Sequence, residues 1–167
     1  MNGIGMRSVR SATCALAVLL TVLLTVLLTM GCAGPPKVKP TEITGTVQAS
    51  ANVNPSISNR PSPLLLRVYE LKSASAFNNA DFVSLYQRDQ AELGAEMVGR
   101  EEIVLNPGDS RPLVKTAAPE TRYIGVLAAF RDLDRATWRS VVAIRPGETQ
   151  RIVISAEELS VTASVGK

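Results

Sequence analysis

Histidine is absent from all 167 residues. Its absence removes Ser-His and Cys-His catalysis, imidazole general bases and the commonest zinc and copper ligands together. Lysine is scarce. Lys37 and Lys39 lie in a proline-rich stretch, Lys167 is terminal, and Lys72 and Lys115 fall in strand-edge contexts, so a Ser-Lys dyad lacks a suitable lysine. Aromatic residues make up 4% of the chain, and Phe77, Phe82, Phe130 and Trp138 each fall on an apolar face, where packing is the expected role. The patterns G-x-S-x-G, G-x-x-x-x-G-K-[ST] and G-x-G-x-x-G do not occur, so neither a nucleophile elbow nor a phosphate cradle is written into the chain.

Charge is missing from one long segment. Between Arg10 and Lys37 there is no ionisable acidic or basic side chain except the thiols of Cys14 and Cys32, and an apolar run extends from Ala15 to Met30. With Arg7 and Arg10 ahead of it, this is the layout of a signal peptide. The run closes on Leu28-Thr29-Met30-Gly31-Cys32, which resembles a lipobox, although Thr29 and Met30 stand where leucine and a small residue are usual. Cleavage before Cys32 removes residues 1–31 and leaves 136 of the 167, a size for one domain that buries about two-thirds of its unfolded surface. It also removes Cys14 and commits Cys32 to acyl chains, which leaves no disulfide. The formal charge of +3 falls by two when Arg7 and Arg10 are lost, so no nucleic-acid partner is expected. An uncleaved transmembrane anchor is the other reading of the run, which could cross roughly 30 Å of hydrocarbon at about 1.5 Å per residue.

The remaining chain reads as strands. Ala33 to Pro40, A-G-P-P-K-V-K-P, favours an extended spacer, so residues 32–40 form a lipidated start and tether. Glu42 to Val53 alternates, with Ile43, Gly45, Val47, Ala49, Ala51 and Val53 on one side, as a half-buried strand does. Asn54 to Pro63 holds three prolines and no periodicity and reads as a long loop in which Ile57 has no local apolar partner. Leu64 to Lys72 is apolar on both faces, the mark of an interior strand, and places Arg67 where it needs a polar partner. Helical spacing over about 73–94 joins Phe77, Phe82, Leu85 and Tyr86, with Asp89-Gln90-Ala91-Glu92 as a capping box and Gly94 as a stop. Further strands are expected at about 98–105, 111–116, 121–130, 138–145, 150–155 and 159–163. The Asn106-Pro107-Gly108-Asp109 and Arg145-Pro146-Gly147-Glu148 segments predict type II turns. Eight strands so spaced predict a mainly β, two-sheet sandwich over residues 41–167 with a short helical insertion.

Close carboxylates are few. Glu101 and Glu102 point to opposite faces if their segment is extended. Asp132 and Asp134 read as a polar turn, since a D-x-D without a glycine loop or further carboxylate is a poor cation site. No metal, cofactor or catalytic residue is expected.

Several segments together resemble the type VI secretion lipoprotein family called TssJ. They are P-L-L-L-R-V-Y-E-L-K, A-F-N-N-A-D-F-V-S-L-Y and A-E-L-G-A-E-M-V-G-R-E-E-I-V-L-N-P-G-D, then Y-I-G-V-L-A-A-F-R-D and W-R-S-V-V-A-I. The resemblance implies a transthyretin-like sandwich, lipid-anchored through Cys32 on the periplasmic face of the outer membrane, that binds the C-terminal periplasmic region of the inner-membrane protein TssM. It also implies that the loop between the first two strands takes part, here Asn54, Pro55, Ser56, Ile57, Ser58, Asn59, Arg60 and Pro61. In that loop Ile57 is the expected apolar anchor and Arg60 a polar contact. Ala33, in place of the aspartate that marks inner-membrane retention in enteric-type sorting, points to the outer membrane. The runner-up is a transthyretin-like envelope lipoprotein that binds a small ligand or acts as an assembly pilot, for which a concave apolar pocket would speak. An enzyme ranks third and would need Asp132 or Asp134 buried beside Glu101.

Overall fold

The first strand, β1 (Thr41–Ala49), buries Ile43, Val47 and Ala49 and turns Thr44 and Gln48 outward, as period-two alternation demands. The chain is described here from a computed structural model over residues 39–166. Cys32 and Ala33, with the signal segment and most of the tether, lie outside the described residues. β2 (Leu64–Leu71) is followed by two helices, α1 (Ser75–Asn79) and α2 (Phe82–Leu93), and a single 3-10 turn, Gly94–Glu96. Then come β3 (Met97–Leu105), β4 (Ser110–Pro112), β5 (Lys115–Ala117), β6 (Tyr123–Ala128), β7 (Arg139–Ala143), β8 (Thr149–Ala156) and β9 (Val161–Val165).

Two sheets result. One runs β4-β1-β8-β9 with β5 also on β1, and the other runs β3-β2-β6-β7. Every pairing between strands is antiparallel except β1 with β8, which is parallel. Ile43, Val47, Leu64, Leu66, Val68, Ile124, Val126, Ile152 and Ile154 fill the space between the sheets. The alternate residues of β2, Tyr69 and Leu71, face the other way and pack with Phe77, Leu85, Leu93 and Leu127 under the helices. That is why β2 is apolar on both faces.

Gly45 has φ +145°, and a Cβ there would lie 1.8 Å from the Ile152 carbonyl oxygen. Only glycine lets β1 approach β8 that closely. Gly108 and Gly147 take φ of 81° and 77°, with Asp109 N–H donating to Asn106 O at 3.0 Å, so the type II expectation holds at both turns.

Three expectations need correction. The first strand stops at Ala49 rather than Val53: Ser50–Val53 closes as a turn through Val53 N–H to Ser50 O, and Ala51 is exposed. Nine strands are present among the described residues instead of eight, because 111–116 divides into β4 and β5. Pro112 stands opposite Thr46 without an N–H to donate, and Val114 turns out to solvent. The Asp89 capping box does not form. Asp81 caps α2, accepting from Ser84 N–H at 2.9 Å, while Arg88 is non-helical inside the helix and Asp89 turns inward. There Asp89 accepts from the Tyr69 hydroxyl at 3.0 Å and from Arg100. Burial alone would push the Asp89 carboxyl up, but the Arg100 guanidinium and Tyr69 hydroxyl outweigh it and hold it below the usual range. The Tyr69 phenol is pushed up to about 12, chiefly by burial. Lys115 sits on the edge strand β5, as expected, and has a partner there. Its Nζ lies 2.6 Å from Glu70 Oε1, and the buried Glu70 also accepts from Ala118 N–H and the Thr121 hydroxyl. Desolvation would raise the Glu70 carboxyl, yet these partners hold it low.

Arg67 finds the partners it requires. Its Nε donates to Glu102 at 2.8 Å and its Nη1 to Tyr86 O at 2.6 Å. Glu101 instead faces Lys115 at 4.0 Å, so the two glutamates diverge as strand geometry dictates.

Candidate docking surface

β1 carries the chain from Thr41 at one end of the sandwich to Ala49 at the other, about 26 Å at roughly 3.3 Å per residue. At the Thr41 end the Arg145–Glu148 turn closes over the strand through Gly147 N–H to Thr41 Oγ1 at 2.8 Å. The loop between β1 and β2 lies at the far end.

That loop is built rather than loose. Val53 is fully buried and accepts from Ser62 N–H at 3.1 Å, which brings the two ends of the loop together. Asn54 sits between three segments at 3% exposure. Its N–H donates to Glu158 O at 2.9 Å, its Nδ2 donates to Pro63 O at 2.8 Å, and its Oδ1 accepts from Arg131 N–H at 2.9 Å. Its φ of 50° is one that asparagine tolerates better than most residues. At the tip, Ser56 N–H donates to Arg60 O and Asn59 N–H to Ser56 O, both at 2.8 Å, and Ser56 Oγ accepts from Arg60 N–H at 3.2 Å. Asn59 takes φ 55° to close this turn. Held on it, Ile57 is completely exposed, which no packing requirement explains.

Beside the tip lies an open cleft of about 630 Å³ whose walls are Pro55, Ser56, Ile57 and Asn59 on one side and Arg131 to Arg135 with Glu158 on the other. Asp132 is ion-paired with Arg135 at 2.6 Å, and that guanidinium holds the Asp132 carboxyl low. Among the described residues, Arg131 and Asp134 have no ion-pair partner. Ser58, Arg60 and Pro61 are exposed but lie outside the cleft lining, and Asn54 acts from beneath the surface.

Sequence reasoning isolated the loop and separately read Asp132–Asp134 as a polar turn, without placing them together. The Asn54–Arg131 bond spans 77 positions, and no local pattern encodes it. Among the described residues no group of three histidine, cysteine or acidic side chains could hold a metal.

Comparison with known proteins bears on what this surface belongs to. The family model described as "Type VI secretion lipoprotein, VasD, EvfM, TssJ" matches residues 41–159. No curated protein matches. Among solved structures, the T6SS lipoprotein TssJ1 from Pseudomonas aeruginosa is 37% identical, with 77% of this chain and 98% of that one covered at a TM-score of 0.74. Serratia marcescens Lip, described as a membrane bound component of the type VI secretion system, is 27% identical over 77% of this chain and 97% of its own, at 0.69. A chain in the structure described as the C-terminal domain of the T6SS protein TssM from EAEC, 24% identical over 73% of this chain and 99% of that one, shares the fold at 0.62. The match over residues 41–159 takes in every strand from β1 to β8, the helical insertion and the whole loop between β1 and β2, so the chain belongs to the type VI secretion lipoprotein family of TssJ and is a structural component of that system, not an enzyme.

Proposed function

We propose that the chain is an outer-membrane lipoprotein that faces the periplasm and holds the C-terminal periplasmic region of a TssM-type inner-membrane protein. The signal segment 1–31 is removed, acyl chains on Cys32 anchor the product, Ala33 directs it to the outer membrane, and residues up to Pro40 act as the spacer. Each buried methylene adds about 0.8 kcal/mol, so several chains hold where one would be marginal. The observation that carries this reading is the rigid loop that presents Ile57 to solvent at the end of the sandwich away from Thr41. A preformed turn loses little entropy on docking, and a protruding isoleucine on it can enter a partner's pocket. The solved assemblies that share the fold include one described as a type VI membrane complex, which supports a partner within that machine.

Charges of both signs surround the tip: Arg60, Arg131 and Arg135 against Asp132, Asp134 and Glu158. Such a patch has no net attraction to an anionic lipid surface and suits a protein. The small-ligand reading calls for a concave apolar pocket; the cleft beside Ile57 is open and largely polar, and the apolar hollow at the Thr41 end, between Pro40, Ala117, Pro119 and Pro146, holds only about 220 Å³, below the roughly 300 Å³ at which ligand pockets begin.

The test is co-purification of the full-length chain, extracted in detergent, with the periplasmic region of a TssM-type protein. Retention by the wild type and its loss on deleting Ser56 to Arg60 is the expected outcome. No retention by the wild type would remove the assignment, and retention by both would move the interface off the loop.

A further inference from the structure

We infer that the partner reads a composite surface, in which the Ser56–Arg60 turn and the Arg131–Arg135 turn form one docking cleft and buried Asn54 is the positioning residue that holds them in register. The inference rests on the proposed function and adds to it a second binding segment and a cause for their alignment.

Three observations converge. The cleft beside Ile57 has both turns as walls, with Leu133 at its base packed against the inter-sheet core. Ions within it are unevenly satisfied: Asp132 and Arg135 pair with each other, while Arg131 and Asp134 line the cleft without an ion-pair partner among the described residues. Asn54 uses its amide oxygen on the second turn and its amide nitrogen on the closing end of the first loop, while its backbone N–H engages Glu158 O. It is thus bonded to all three segments that border the cleft. The occupant that fits is a loop of the partner with an apolar side chain flanked by one acidic and one basic group, the acidic one meeting Arg131 and the basic one Asp134.

If Asn54 merely stabilised the fold, its loss would lower stability and leave binding by the folded fraction unchanged. If it positions the two turns, its loss slows association, because fewer molecules hold the docking geometry at the moment of encounter. Asn54→Gly separates the two effects, since glycine keeps the positive φ and deletes only the side-chain bonds.

The experiment measures binding kinetics of the detergent-extracted full-length chain with the TssM-type periplasmic region, and amide hydrogen exchange at Arg131 and Ser62. Four forms are compared: wild type, the Ser56–Arg60 deletion, the double charge reversal Arg131→Glu with Asp134→Arg, and Asn54→Gly. The charge reversal is expected to weaken binding at least about tenfold with unchanged thermal unfolding. Asn54→Gly is expected to slow association severalfold and to speed exchange at the Arg131 amide. Loss of binding only in the deletion, with wild-type kinetics in both substituted forms, would overturn the composite surface and leave the proposed function standing. No binding by the wild type would overturn both.

Discussion

Two residues act through what a side chain would do at their position. At Gly45 any Cβ meets the Ile152 carbonyl, so Gly45→Ala must either push β1 from β8 or lose the parallel ladder that joins them. The expected destabilisation is about 3 kcal/mol, read from urea unfolding, and a variant within about 1 kcal/mol of wild type would show that β1 can shift at little cost. Asp89 poses the opposite case, a charge buried because its partners are there. Asp89→Ala leaves the Tyr69 hydroxyl and the Arg100 guanidinium without their shared acceptor and removes the carboxylate that lies 3.6 Å from Arg67 Nη1. A loss of about 2–4 kcal/mol is expected, accompanied by faster hydrogen exchange in the second half of α2. Unchanged exchange there would mean the helix is held by Leu85 and Leu93 alone.

The elements differ in how far local chemistry explains them. Helix α2 begins where Asp81 offers an acceptor to both the N–H and the hydroxyl of Ser84 and ends at Gly94, whose φ of 48° few other residues tolerate. α1 is only five residues and would not persist alone. Arg139 holds it, donating to the Phe77 and Ala80 carbonyls from β7, and Phe77 is buried on Tyr69 at a ring separation of 5.5 Å. Arg139→Ala should therefore loosen α1 while leaving the inter-sheet core intact, lowering stability by about 1–2 kcal/mol. Equal exchange protection of α1 amides in variant and wild type would refute that dependence. The division of β4 from β5 is likewise an element-scale effect. Lys115 leaves the outer row to meet Glu70, and the intervening Leu113 drops into the core.

At the scale of the whole molecule, pH dependence follows from what titrates. Both Asp89 and Glu70 have carboxyls held below their ordinary range in the folded chain. The stabilisation they contribute is present above the unfolded carboxyl pKa of about 4 and is lost as pH falls through the lower folded values. With no histidine in the chain, the melting temperature should be nearly level from about pH 5 to 8 and fall below about pH 4. A transition centred near pH 6.5 would contradict this assignment. Anchoring is testable at the same scale. The mass of the membrane-extracted chain should show residues 1–31 lost and acyl chains on an N-terminal Cys32, and a full-length, unacylated chain would favour the uncleaved anchor.

Composition and periodicity alone determined a great deal about this protein. Missing histidine excluded most chemistry, alternation marked β1 as half-buried and two-faced hydrophobicity marked β2 as interior, the spacing of strands and turns foretold a sandwich, and the Pro-Gly turns were legible because only those backbones fit there. These are local properties, set by side-chain period and allowed dihedrals within a few residues. What only the tertiary structure decided are the contacts between distant segments: Asp89 as a buried acceptor instead of a cap, Lys115 as the partner of Glu70, and Asn54 tying its loop to Arg131. Each pairs groups that are neighbours only after the sheets stack, and the free energy that selects them comes from burial and hydrogen bonding across the fold, which no window of sequence contains.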